Sequence, residues 1–353
     1  MKKVGGLILI LIFGIVLICC SSSGNVAVNS ETGLESAPPS TQEEVVVVPP
    51  VYTPTATPAS TLPPTPTPSP SPTPAPTPFT MVWITDTQSV VFTEKTQHVF
   101  PEMLDWIVEK QEELDIVAML HTGDITENGW RADHWAIFEP HLHSLDGKIP
   151  YLMIAGNHDI GMRLKDYTAF LDREFVKQAV AEERAYLDGR GMYLTFSGGG
   201  CDFIAVGLGW NTTDDEALSW AKSIFDAHPN HIGILLLHWY LDGEQISILG
   251  REINDKLVSL CPNLRLVLCG HVMKGLYVSF EFDDDGDGQT DRIVHAMRHN
   301  YQSDIVKVGY LRTLVFDPLT RSITVDTYSP VLDDYIYFDD DPEADRFVIE
   351  NGF

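Results

Sequence analysis

"YLMIAGNHD", Tyr151–Asp159, is an apolar run that halts at Gly156-Asn157-His158-Asp159. Gly-Asn-His-Asp alone could be no more than a turn. Other runs in the chain end the same way. "MVWI" leads to Asp86 and Gln88. "IVAML" leads to Gly123-Asp124 and Glu127. "IGILLL" leads to His238, and "LRLVL" leads through Cys269-Gly270 to His271. Runs that are apolar on both faces suit central strands of a covered sheet, and amphipathic stretches such as "PEMLDWIVEKQEEL", "DEALSWAKSIF" and "ISILGREINDKLVSL" suit the helices between them. The segments "MYLTFSG", "CDFIAVGL", "LYVSFEF" and "YLRTLVFD…SITVDTYSP" read as antiparallel additions, the last of them as the final strand and its exit. The fold class is therefore α/β.

In open α/β sheets, ligands bind beyond the carboxyl ends of the strands. Five strand ends here carry a metal-capable or proton-transferring group. Singly, each has a plain explanation: Asp86 as a helix cap, His238 as a satisfied core histidine. Jointly, the order Asp, Gly-Asp, Gly-Asn-His-Asp, His, Gly-His marks a site.

In that order the sequence resembles the calcineurin-like metallophosphoesterases, which carry Asp-x-His, Gly-Asp-x-x-Asp, Gly-Asn-His-Glu/Asp, a lone His and Gly-His-x-His. The resemblance implies a two-sheet β-sandwich flanked by helices in four layers, with two divalent metal ions at the strand ends. It implies that Asp124 bridges the ions, that Asn157, His238 and His271 complete the second position, and that His158 serves as the proton donor. Asp159 would orient that imidazole or cap a helix. Mixed nitrogen and oxygen ligands suit manganese, iron or zinc. The pattern breaks on one side only. Gln88 and Met273 replace both imidazoles of the first position. What remains there is an oxygen set: Asp86, Asp124, the Gln88 carbonyl and Glu127. The expectation is an unequal centre whose first ion is weaker and harder, with a single-ion site as the alternative. Met273, too soft a ligand for such ions, is expected to pack against the core.

"FDDDGDGQTD" places Asp283, Asp285, Asp287 and Asp291 at the spacing of a calcium loop between two strands, with Val294 where a bidentate glutamate would stand. A solvated acidic turn is the alternative. His98, His134, His141 and His143 read as surface residues. His121 is expected to face away from Asp124, and Asn300, Tyr301 and Gln302 are candidates to line the pocket.

The 353-residue chain divides into an apolar segment 1–20, a Pro/Thr/Ser-rich linker 21–78, a domain 79–335 and an acidic extension 336–353. Segment 1–20 has the layout of a bacterial export signal, with Cys20 as the lipidated residue of a lipoprotein. An uncleaved anchor and plain secretion are the alternatives, and each places the domain outside the cytoplasm. A formal net charge of −27 disfavours nucleic acid as a partner. Cys201, Cys261 and Cys269 leave one disulfide open, Cys261–Cys269. The expected activity is hydrolysis of a small phosphomonoester or phosphodiester by metal-activated water, the membrane being reached through the N-terminal segment. A surface binding protein that keeps the fold without the chemistry is the alternative. Oligomeric state is not encoded in these patterns.

Overall fold

The computed structural model describes residues 75–160, 166–302 and 306–353. The segment 1–20, Cys20 and nearly all of the linker lie outside the described residues. In chain order the first strands are β1 (Phe79–Ile84), β2 (Ile116–His121), β3 (Tyr151–Met153), β4 (Ala185–Tyr186) and β5 (Gly191–Gly198). Next come β6 (Cys201–Leu208), β7 (Ile232–Leu237), β8 (Leu241–Asp242), β9 (Gln245–Ile246) and β10 (Leu264–Cys269). The last are β11 (Leu276–Phe282), β12 (Arg292–Arg298), β13 (Leu311–Asp317), β14 (Ser322–Tyr328) and β15 (Arg346–Ile349). One sheet runs β15-β14-β13-β1-β2-β3 and the other β11-β12-β10-β7-β6-β5-β4, while β8 and β9 form a small hairpin.

The five apolar runs are β1, β2, β3, β7 and β10. Within each sheet they lie parallel and side by side, β1-β2-β3 in one and β7-β10 in the other. Their C-terminal ends therefore emerge together. Two further strands join this parallel set. β12 pairs parallel with β10, and β6, expected as antiparallel, pairs parallel with β7 while its other edge takes β5 antiparallel.

The sheets face each other through aromatic rings. Phe79 and Phe316 stack at 5.2 Å, and Phe203 of the opposite sheet meets both edge-on at 5.6 and 5.4 Å. All three are fully buried, and each contributes about 2–3 kcal/mol of hydrophobic stabilisation. Outside the first sheet, helix Val99–Leu114 buries Val99, Phe100, Met103, Leu104 and Ile107, one face of a 3.6-residue period. It ends at Asp115, whose left-handed φ of 47° turns the chain into β2. Helix Asp215–Ala227 begins where the Asp214 side chain accepts the Ala217 N–H at 2.9 Å, a typical cap.

Residues 336–353 are not an appended tail. β15 pairs antiparallel with β14, and Ile349 and Phe353 are buried, the latter against Phe316. Asp345 is buried as well and accepts the N–H groups of Tyr337 and Phe338 at 2.9 and 2.7 Å. The sheet therefore runs past residue 335. Cys201, Cys261 and Cys269 are free thiols, so the Cys261–Cys269 disulfide is not formed. His134, expected at the surface, is buried with its ring 5.8 Å from that of Phe92.

Candidate metal centre

Six strand ends supply the site: β1 (Asp86, Gln88), β2 (Asp124, Glu127), β3 (Asn157, His158), β7 (His238), β10 (His271) and β12 (Asn300, Gln302). Three of these residues turn sharply in left-handed backbone, Asp86 at φ 52°, Asp124 at 53° and His271 at 67°. For non-glycine residues this costs on the order of 1–3 kcal/mol each and persists only where the surroundings enforce it. Here the loops enforce one another. The Asp86 N–H donates to Gly123 O at 3.0 Å, the Gly270 N–H to His238 O at 3.0 Å, and the His271 N–H to Asp86 Oδ2 at 3.0 Å. Two glycines permit this closeness. A Cβ on Gly156 would stand 2.2 Å from Asp124 Oδ1, and one on Gly270 would stand 2.2 Å from Asp86 Oδ2.

Asp124, His238, His271 and Asn157 come together as the sequence suggests. His238 donates from Nδ1 to Thr122 O at 2.9 Å, which fixes the ring and aims Nε2 inward. Nε2 lies 3.1 Å from Asp124 Oδ2 and 3.2 Å from Asn157 Oδ1. His271 joins them, so that Asp124, His238 and His271 each offer an atom within 4.8 Å of the others. Three inward-facing acceptor atoms, Nε2, a carboxylate oxygen and an amide oxygen, share at most one proton. A divalent cation fits that set better. Burial works against charge on His238, yet Asp124 and, beyond it, Asp86 hold its pKa up to about 9. Burial raises the Asp124 carboxyl, but His238 and His158 outweigh it and the net shift is downward. Burial and the neighbouring His238 press His271 down to about 4, so it is a neutral imidazole ready to ligate.

On the other side Asp86 accepts the Thr85 hydroxyl at 2.7 Å besides the His271 N–H. Its burial, relieved in part by His238 and reinforced by Asp124, lifts it to about 7. Gln88 is buried beside Asp124. Met273 is 44% exposed, so it neither ligates nor packs inside as expected.

Neither Glu127 nor Asp159 holds the role expected of it. Glu127 is not gathered with Asp86 and Asp124. Its carboxylate lies 3.3 Å from His158 Nδ1, and its main-chain oxygen lies 3.2 Å from the same nitrogen. Asp159 is fully buried and spends its carboxylate on the N–H groups of Ile125 (2.9 Å), Thr126 (2.8 Å) and Gly156 (2.8 Å). It neither orients His158 nor caps a helix; it pins the Asp124 loop to the Asn157 loop. His158, partly exposed, donates its N–H to Asp124 Oδ1 at 2.8 Å and turns Nε2 to within 4.0 Å of Asp124 Oδ2. His121 contacts Thr87 Oγ1 at 3.2 Å and accepts the Gly123 N–H at 3.1 Å.

Of the three residues after His299, Asn300 donates to His271 O at 3.1 Å and Gln302 lies against Gln88, whereas Tyr301 turns into an aromatic cluster with Tyr310 and Tyr337. Two tryptophans stand beside the site with no motif to announce them. The rings of Trp210 and Trp239 stand 5.0 and 5.7 Å from His271. Their signal was position: Trp210 lies just past β6, and Trp239 directly follows His238.

The acidic loop joins β11 to β12, as a hairpin. Asp283, Asp285 and Asp287 gather within 4.8 Å at the surface. Their carboxylates already accept main-chain N–H groups, as from Gly286 to Asp283 at 2.7 Å. Asp291 is turned to the N–H of Asp284 at 2.7 Å.

A two-sheet sandwich with a carboxylate, an amide and two imidazoles at its parallel strand ends defines the metallophosphoesterase class. A family model described as calcineurin-like phosphoesterase matches residues 79–275, more than half of the chain, and the chain belongs to that family. It is 35% identical over 280 residues to the uncharacterized protein YvnB of Bacillus subtilis (strain 168), covering 76% of this chain and 21% of that protein. The chain thus spans about a fifth of that relative's length. Among solved structures, the purple acid phosphatase PPD1 from yellow lupin (Lupinus luteus) seeds superposes with a TM-score of 0.54 at 13% identity. That match covers 78% of this chain and 54% of the lupin chain, and it shows a shared fold.

Proposed function

We propose that this protein hydrolyses a small phosphomonoester or phosphodiester. One observation carries the proposal: His238 Nε2, Asp124 Oδ2 and Asn157 Oδ1 converge beside the partly exposed imidazole of His158, whose Nε2 lies 4.0 Å from Asp124 Oδ2. Asp124, Asn157, His238 and His271 would hold one divalent ion (manganese, iron or zinc), and a second, weaker ion would sit on the Asp86 side of Asp124. When bound, such ions supply Lewis acidity toward phosphoryl oxygens and toward water. The chain's own contribution to the reaction is His158. Its Nδ1 is engaged by Glu127, which leaves Nε2, 4.0 Å from Asp124 Oδ2, placed to give a proton to the leaving oxygen. The acidic surface favours small substrates over nucleic acid.

Activity on p-nitrophenyl phosphate and bis-p-nitrophenyl phosphate with manganese tests this directly. The wild type is expected to turn over at least one of them, and His158→Ala is expected to lower kcat by about 10²–10⁴ with bound metal unchanged. No turnover of either substrate by metal-loaded wild type would establish the alternative, a surface binding protein.

The N-terminal apolar segment and the proline-rich linker support a location outside the cytoplasm, held to the membrane through lipid on Cys20 or released by secretion. No helix among the described residues is long and apolar enough to cross a membrane. Labelled palmitate incorporated by the wild type and not by Cys20→Ala distinguishes the lipid anchor from the other routes.

A further inference from the structure

The Asp86 side of the centre turns on the amide of Gln88. Gln88 is 1% exposed, and the direction of its amide can be settled from its neighbours. With the NH2 toward the main chain, it donates to Asp86 O at 2.9 Å and Asp124 O at 3.0 Å. The opposite orientation sets the carbonyl oxygen against those two carbonyls and gains contacts from Nε2 to Gln302 Oε1 and, at 3.4 Å, to Asp124 Oδ2. The first orientation wins, because it satisfies two buried acceptors and avoids two repulsions.

The carbonyl oxygen of Gln88 then faces Asp124 Oδ2 at 3.4 Å with no donor from either group between them. The side-chain amide of Gln302 closes on the same point. Gln302 Oε1 makes the shorter contact with the Gln88 carbonyl oxygen, and Gln302 Nε2 lies 3.2 Å from it. Gln302 is not there by chance of a loose tail. Asn300 Oδ1 accepts the Gln302 N–H at 3.0 Å while Asn300 Nδ2 donates to His271 O at 3.1 Å, so one residue ties Gln302 to the ligand loop after β10. Asp86 Oδ1, with only a 3.3 Å contact from the His271 N–H, keeps capacity to accept more.

Oxygens crowded together in a buried place repel one another unless a cation lies among them. We propose that Gln302 supplies the ligand that Met273 does not, completing with Asp86, Gln88 and Asp124 an all-oxygen position for a hard divalent cation such as Mn2+ or Mg2+. The proposal rests on the phosphoesterase reading for the neighbouring imidazole position. Its own content is different: two chemically unlike positions share Asp124. Carboxylates and amide carbonyls suit hard ions, whereas the side with two imidazoles suits zinc or iron.

The test uses the whole chain, stripped of metal and given one equivalent of Zn2+, then titrated with Mn2+ while free Mn2+ is read by electron paramagnetic resonance. The wild type is expected to retain its zinc and to bind one Mn2+. Gln302→Ala is expected to weaken that Mn2+ by about tenfold or more, leaving the zinc and the melting temperature unchanged. Gln302→Glu, which keeps an oxygen and adds charge, is expected to hold Mn2+ at least as tightly as wild type. Absence of a Mn2+ equivalent in the wild type overturns the proposal. So does an unchanged Gln302→Ala, or a Gln302→Glu that binds more weakly. A protein that binds both ions yet fails on both p-nitrophenyl substrates would sink the hydrolase reading alone.

Discussion

The two sides of Asp124 are built on different principles. On one side His238, His271 and Asn157 aim ligand atoms held by main-chain hydrogen bonds, such as His238 Nδ1 to Thr122 O at 2.9 Å. On the other, Asp86 and two glutamines present oxygens that are already partly engaged, by Thr85, by the His271 N–H and by each other. A strongly braced imidazole pair and a softly held oxygen set share one carboxylate. The lesson is that a site can lose the imidazoles of one half without losing polar character there, because another strand end can reach the gap. β12 does so here, through Gln302.

The largest expected effect comes from breaking the braced side. His238→Ala removes the ligand that faces both Asp124 and Asn157, and kcat/KM should fall about a thousandfold or more, together with loss of the zinc equivalent by metal analysis. Retention of both would mean that the imidazole side is not the tighter one.

A second contrast, between His238 and His299, concerns protons. His238 is held up to about 9 by Asp124 after burial has worked against it. His299 is fully buried between Trp83 and Tyr301, and burial followed by the nearby Arg312 drives it well below its usual 6.5. Its folded pKa lies below the unfolded value. The stability this group contributes is therefore fully present above pH 6.5 and lost as pH falls below it. His299→Phe should flatten the acid side of a stability–pH curve below pH 6.5, measured by urea unfolding. An identical slope in the variant would show that His299 charges freely within the fold.

The smallest effect is expected at Met273. It is 44% exposed and offers the site nothing, so Met273→Ala should change stability by less than about 0.5 kcal/mol and leave both metal equivalents as they were. A drop in metal content in this variant would restore Met273 to the centre and weaken the case for Gln302.

Much of this was legible in the chain. Asp124, Asn157, His238 and His271 each follow an apolar run closely, and parallel neighbouring strands bring such positions together. Glu127 and Asp159 were harder. Each lies three residues beyond Asp124 or Gly156 in an irregular loop, where spacing does not say which way a carboxylate points. Glu127 turned to His158, and Asp159 to three main-chain donors. β15 escaped because four residues after an acid-rich stretch carry too little alternation to signal an edge strand, and only β14 supplies its partner.

Sequence by itself determined the alternation of strand and helix, the placement of polar residues at strand ends and the one-sided absence of histidine at 88 and 273, since all of these are local in the chain. Tertiary structure alone decided that Gln302 meets Gln88 across 214 positions, counted from 88 to 302, and that Glu127 rather than Asp159 attends His158. Burial periodicity is written residue by residue, whereas the direction of a side chain leaving a loop is set by whichever donors and acceptors the packed sheets bring within reach.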